Sequence, residues 1–227
     1  MSYILHIETA TDVCSVAVSE NDKLISFSEE KNSLKHSEII TLQIEDAIGN
    51  AGIKQNDLSA VSLSEGPGSY TSLRVGMSAA KAICFAMDIP LIGINTLESL
   101  YFASLQNNNK NMFYCPMIDA RRMEVYASLY NNKEPIFENK PLILEEDSFD
   151  KYFAGNSQIV FSGNGSRKAQ SLYKSEKFIF TNIICSAENL IKPAYKKYQQ
   201  KDFVDLAYFS PNYIKPPNIT TPKFKTL

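Results

Sequence analysis

The chain has 227 residues, 44% of them hydrophobic and 21% charged, which is the balance of a globular protein able to bury a sizeable core in one domain or two closely packed lobes. This composition is not that of a disordered chain, and no run approaches the roughly 18 consecutive apolar residues of a membrane span. A formal charge of −2 and a pI near 5.8 provide no global positive field to neutralise phosphates, so the chain alone is expected to bind RNA poorly.

The opening residues Met1 to Glu8 lack a cationic stretch ahead of a long apolar run, so they are not read as a signal peptide, and the cytoplasm is the expected location. Alternation then predicts strands over 3–7, 13–19 and 24–29, joined by polar turns into a three-stranded meander. From 33 to 48, Leu34, Ile40, Ile44, Ala47 and Ile48 recur at helical spacing, with Ser33 or Ser37 as cap and Gly49 or Gly52 as stop. A strand over 60–64, a Gly-Pro-Gly turn, a helix over 71–87 and a strand over 90–94 complete a segment whose alternation implies an α/β sheet covered by helices. Cys14, Cys84, Cys115 and Cys185 are scattered without a Cys-x-x-Cys pair and are expected as reduced core thiols.

Residues 114–137 reproduce the opening meander at an offset of about 110. Ile7-Glu8-Thr9-Ala10 ends a strand in the first copy and Ile118-Asp119-Ala120-Arg121 does so in the second; Asn21-Asp22-Lys23 aligns with Asn131-Asn132-Lys133, and Phe27 with Phe137. A strand, an acidic turn and a return strand, present twice, predict an actin- and sugar-kinase-like (ASKHA) α/β fold with two ribonuclease H-like lobes. The first lobe is expected over 1–106 and the second over 107–215, with a polar connection near 106–111 and a mobile tail over 216–227.

Several motifs bear on chemistry. Gly66, Gly68 and Ser69 lie between a strand and a helix, where amides can cradle a phosphate, although no lysine follows and a tight turn explains the same residues. Glu8 and Asp119 can hold magnesium across a cleft or serve only as turn formers. Thr96 and Leu100 share one face of a helix start, yet a hydroxyl and an alkyl group cannot ligate iron or zinc. Only His6 and His36 are present in the whole chain; His6 is expected in core or cleft and His36 in solvent. No Gly-x-Ser-x-Gly elbow supports acyl transfer. Leu73, Met77, Ala80, Cys84 and Met87 form a seam on the second helix, thinned by Gly76, Ala79 and Ala82. With Ile40, Ile44 and Ile48 it can make a docking surface, or both stripes can pack on their own sheet.

Ile7-Glu8-Thr9-Ala10-Thr11, Gly66-Pro67-Gly68-Ser69-Tyr70-Thr71 with Leu73-Arg74-Val75-Gly76, Asp119-Ala120-Arg121-Arg122 with Glu124-Val125-Tyr126, and Pro211-Asn212-Tyr213-Ile214 together resemble, in order and spacing, the TsaB family. These are glycoprotease-like proteins of tRNA threonylcarbamoyladenosine biosynthesis. The resemblance runs from end to end. It implies a non-catalytic relative of the transferase TsaD, with Thr96 and Leu100 in the places of that enzyme's metal-binding histidines. It further implies a heterodimer with TsaD through the two first-lobe helices, which tips the seam toward docking. TsaE would join that pair, TsaC would supply the activated threonylcarbamoyl group, tRNA would be reached only through the complex, and no cofactor would be held. A homodimer of the free chain stays open, as do two rival readings: an ATP-dependent phosphotransferase using Glu8, Asp119 and the Gly66–Ser69 loop, and a metallopeptidase. Glu8 stands where the family usually has aspartate and Ser72 where it usually has glycine.

Overall fold

The computed structural model describes residues 1–31, 35–105, 112–131, 134–152 and 157–215. The expected interlobe connection at 106–111, the tail at 216–227, the cap candidate Ser33 and the aligned pair Asn132-Lys133 lie outside the described residues.

The first half opens with β1 (Tyr3–Glu8), β2 (Cys14–Glu20) and β3 (Lys23–Glu30), an antiparallel meander. Next come α1 (His36–Asn50), β4 (Leu58–Gly66), α2 (Tyr70–Met87), β5 (Leu91–Asn95) and α3 (Thr96–Leu105). β4 lies parallel to β1 and β5 parallel to β4, giving the order β3-β2-β1-β4-β5. The second half repeats this plan with β6 (Met112–Asp119), β7 (Glu124–Asn131), β8 (Glu134–Ile143), β9 (Gln158–Ser162), α4 (Ser166–Leu172) and β10 (Phe178–Phe180), in the order β10-β9-β6-β7-β8. β6, β7 and β8 are antiparallel, while β9 and β10 run parallel to β6. The duplication predicted from the two acidic turns is therefore real: the fold is the two-lobed ASKHA arrangement, and Glu8 and Asp119 end equivalent strands. Where α1 stands in the first copy, the second offers only a 3-10 turn at Asp150–Tyr152 among the described residues.

Period-two alternation directs β1 to two cores at once. Leu5 and Ile7 join Val16, Val61, Leu63, Ile40, Ile44, Met77 and Ala80 beneath α1 and α2, whereas Ile4 faces Ile92, Ile94, Leu190 and Ala194 on the other side. The last two belong to a 3-10 turn (Ala187–Leu190) and to α5 (Ile191–Gln200), which follow the second sheet in sequence but pack on the first. Conversely α3, from the first half, packs on the second sheet: Leu97 and Leu100 meet Ile118 and Cys185, and Tyr101 stacks on Tyr130 with centroids 4.0 Å apart. Each half thus lends a helix to the sheet of the other. Residues beyond α5 also stay on the first sheet, where the Val204 amide donates to the Leu91 carbonyl at 3.0 Å and the Asn212 amide to Glu65 at 2.7 Å.

Local boundaries follow backbone chemistry. α1 begins at His36 without a side-chain cap. Gly49 remains inside the helix, and Gly52, at φ +69, takes the left-handed position beyond its end. α2 ends at Asp88, itself left-handed at φ +53.

Gly163 sits where the halves meet. Its φ is +84, and an added Cβ would run into the Met117 carbonyl and approach Leu100 Cδ1 of α3 to 2.9 Å. Gly163→Ala should lower the stability of the whole chain by about 2 kcal/mol or more, read as a lower urea midpoint with an unchanged slope.

Candidate functional site

The acidic turn after β1 and the glycine loop after β4 lie against one another. The Ser69 amide donates to the Ala10 carbonyl at 2.7 Å, and Gly68 lies so close to Ala10 that a Cβ there would fall 2.8 Å from the Ala10 Cβ. Gly66, at φ +115, leaves room only for the Asn212 carbonyl, 2.7 Å from where its Cβ would be. Gly76 in α2 passes directly under the Thr9 side chain. Amide and free space are thus spent on joining β1, β4, α2 and the 212 segment, as a tight structural turn requires. The Ser72 hydroxyl adds a 2.9 Å bond to Ser69 at the helix start.

Glu8 is fully buried. Its Oε1 accepts from the Ala10 amide and the Ser64 hydroxyl, both at 2.7 Å, while Oε2 has no partner among the described residues. Burial, only partly offset by those hydrogen bonds, pushes its pKa up to about 7. Asp119 is in a different situation, with its side chain 42% exposed and Oδ1 accepting from the Arg121 amide at 2.6 Å and from Lys168 Nζ at 2.7 Å. The two strand-end acids match in topology but not in environment, one desolvated and the other neutralised by an ion pair.

α3 starts with the Asn95 side chain accepting from the amides of Leu97 and Glu98 at 3.0 and 3.2 Å. Thr96 is buried with an unpartnered hydroxyl, and Leu100 packs among Leu97, Ile118 and Cys185. A hydroxyl and a leucine in those places do not fit an iron or zinc ion, and among the described residues no three His, Cys, Asp or Glu groups gather within reach of one. His6 hydrogen-bonds Ser62 at 2.7 Å and Ser19 at 2.8 Å, and desolvation depresses its pKa to about 3, leaving it neutral. His36, expected in solvent, is buried, its Nε2 3.3 Å from the Val13 carbonyl. It extends the inward stripe of Ile40, Ile44 and Ala47 by one turn, and that spacing is the signal that locates it. All four cysteines are free and buried, and burial raises every thiol pKa, to about 12 for Cys14 and Cys84, so none is poised as a thiolate.

The docking seam needs correction. Ile40, Ile44, Ile48, Met77, Ala80 and Cys84 turn inward and form the core under α1 and α2, Met77 keeping 5% of its surface, and Leu73 is buried beside the Gly66 turn. Met87 is half-buried at the helix end. The reason is that a β-sheet needs an apolar cover, and the richest stripe of each helix supplies it. The outward face of α2 carries Thr71, Arg74, Ser78, Ala82 and Phe85, with Phe85 82% exposed; α1 presents Thr41, Glu45 and the 60% exposed Leu42. A shallow groove of about 510 Å³ runs between the helices over Thr41, Ser78 and Ala79. At its end the Arg74 guanidinium lies 4.1 Å from the Tyr70 ring centre, and its Nε donates to the Tyr213 hydroxyl at 2.9 Å. Its local signal in the sequence is the four-residue spacing of Tyr70 and Arg74, while Tyr213 joins from 139 residues away.

The displaced pKa of Glu8 sets a pH dependence. Folded, its carboxyl holds a proton up to about pH 7, whereas at its ordinary value of 4.5 the unfolded chain has already released it. Stability from this group is therefore full below about pH 4.5, falls as pH rises to about 7, and is level above, a loss of about 3 kcal/mol. Glu8→Gln should flatten that fall, seen by urea unfolding of variant and parent at pH 5 and pH 8.

Comparison with known proteins agrees with this architecture. The family model for TsaD, tRNA N6-adenosine threonylcarbamoyltransferase, matches residues 28–206. The tRNA threonylcarbamoyladenosine biosynthesis protein TsaB of Escherichia coli is 25% identical over 219 residues, covering 93% of this chain and 94% of that protein. TsaB of Buchnera aphidicola is 33% identical over 59% of this chain and 60% of that protein. The tRNA N6-adenosine threonylcarbamoyltransferase of Streptococcus mutans is 43% identical, but over 45% of this chain and 35% of that enzyme. Among solved structures, YeaZ from Pseudomonas aeruginosa superposes with a TM-score of 0.78 at 21% identity, covering 94% of this chain and 100% of that one, which speaks for the fold. The chain therefore belongs to the family that the TsaD, tRNA N6-adenosine threonylcarbamoyltransferase, model describes, and its end-to-end likeness is to the members named TsaB.

Proposed function

We propose that the chain is a non-catalytic subunit of tRNA threonylcarbamoyladenosine biosynthesis that pairs with the TsaD transferase and supports its modification of the adenosine beside the anticodon. The observation that carries this reading is the pairing of an end-to-end TsaB likeness with a site built for packing. The Ser69 amide is committed to Ala10, Asp119 to Lys168, and Thr96 and Leu100 offer no metal donor set. These commitments also weigh against the phosphotransferase and metallopeptidase readings.

The pairing surface is the outward strip of α2 around Ala82 and Phe85 together with the exposed face of α1. An aromatic ring 82% exposed on a helix of small residues fits the anchor of a helix-to-helix contact. TsaE joins the assembled pair, and the free chain can use the same strip on a second copy. The proposed place of work is the cytoplasm; no helix among the described residues is long and apolar enough to cross a membrane.

Inward and outward substitutions separate the two faces of α2. Phe85→Asp with Ala82→Arg should leave the melting temperature within a few degrees of the parent and weaken co-elution with TsaD by tenfold or more. Met77→Glu should instead destabilise the chain itself, by about 3 kcal/mol or more, because its charge is buried without a partner. Undiminished co-elution of the outward variant defeats the assigned face, and failure of the parent chain to associate with TsaD defeats the partnership.

A further inference from the structure

α5 and the turn that follows gather positive charge that the chain as a whole lacks. Lys192, Lys196, Lys197 and Lys201 fall in the stretch 191–201, which contains no carboxylate, in a protein of net charge −2. Packing sorts them. Ile191, Pro193 and Ala194 are buried against the first lobe, Lys192, Lys196 and Gln199 point away from it, and Tyr195 and Tyr198 lie half-buried along one flank. Lys197 is engaged with Asp202 at 3.3 Å. Lys192, Lys196 and Lys201 have no carboxylate at ion-pair distance among the described residues, although Lys196 contributes to the field at Glu98.

Beside this ridge is a groove of about 470 Å³ lined by Tyr195, Tyr198, Lys201 and Phe203, with Ser2 and Ser59 opposite. The Tyr198 and Phe203 rings are 6.0 Å apart at an interplanar angle of 51°. Lys192 and Lys196 on the outward face of α5, with Lys201 at the left-handed turn just past its end, can neutralise phosphates, and aromatic faces beside them give bases a stacking platform. An acidic peptide would use the lysines and leave the aromatic groove without a role, whereas a nucleic acid strand uses both.

We propose that the Lys192–Lys196–Lys201 ridge and the Tyr195–Tyr198–Phe203 groove form an RNA contact surface, the ridge carrying the sugar-phosphate backbone and the groove an unpaired base. The inference deepens the reading of the chain as a tRNA-modification subunit, on which it rests for the choice of tRNA as probe. The patch is small, so the free chain binds weakly and low salt is the condition that reveals it.

The test is fluorescence anisotropy of a labelled, unmodified tRNA transcript titrated with the full chain, alone and with TsaD, across a salt series. Replacing all three lysines (Lys192→Gln, Lys196→Gln, Lys201→Gln) should weaken binding tenfold or more and reduce the slope of log affinity against log salt by about 3. Tyr198→Ala should weaken binding about fivefold or more with little change in that slope. Lys23→Gln on β3 with Lys140→Gln on β8, both away from α5, should change neither, and thermal melts show that each variant folds. The inference is overturned if the parent chain does not bind tRNA at the lowest salt in either form, or if the triple variant binds as the parent does. It is equally overturned if polyglutamate or phosphatidylglycerol vesicles compete as well as single-stranded RNA while Tyr198 is dispensable. Co-elution with TsaD depends on the α2 strip and should survive the α5 substitutions. Failure of the parent chain to co-elute tells against the partnership and leaves the RNA measurement on the free chain to stand alone, whereas loss confined to the α5 variants places α5 in the pairing face and overturns its assignment to RNA.

Discussion

Each half of this protein is completed by a helix from the other. α3 leaves the first sheet and covers the second, setting Leu97 and Leu100 against Ile118, while α5 leaves the second sheet and covers Ile4, Ile92 and Ile94 of the first. A sheet with one uncovered apolar face is unstable in water, so neither lobe has a complete core without the other's helix. The buried hydrogen bond from the Ala187 amide to the Ser15 hydroxyl at 2.9 Å, between residues 172 apart in sequence, belongs to the same exchange. Gly163 is kept without a side chain because Met117 and Leu100 close on it from the two halves.

The strand-end acids are held within their own halves. In an open two-lobed fold, the turns after β1 and β6 would face each other as a pair of acids around a charged ligand. Here Glu8 is sealed beneath Ser64 and the Ala10 amide, and Asp119 is held by Lys168 from α4. The glycines nearby give close backbone approach, and that approach is used within the protein. The polar groups at these two turns serve the protein's own packing.

The helices of the first lobe show the same division of labour. Their strongest apolar stripes are consumed by the sheet, and what they offer outward is a thinner surface of small residues with Phe85 and Leu42 standing from it. On another part of the same lobe α5 turns lysines to solvent beside a flank of half-buried tyrosines. The two surfaces differ in chemistry, one apolar and narrow, the other cationic and aromatic, which is why a protein partner is assigned to the first and an RNA strand to the second.

The sequence by itself carried the architecture. Alternation located the first meander, and the recurrence of Ile7-Glu8 as Ile118-Asp119 disclosed the second and with it the duplication, because side-chain periodicity and repeated local pattern are properties of the chain itself. Helical spacing identified the stripes on α1 and α2 but not their orientation, since an apolar stripe satisfies a sheet and a partner equally well. Which sheet α3 and α5 would cover, that His36 would be buried, that Glu8 would hold its proton near neutrality, and that Arg74 would meet Tyr213 across 139 residues were decided only in three dimensions. Those outcomes depend on desolvation and on contacts between distant segments, and neither is written into the spacing of residues along the chain.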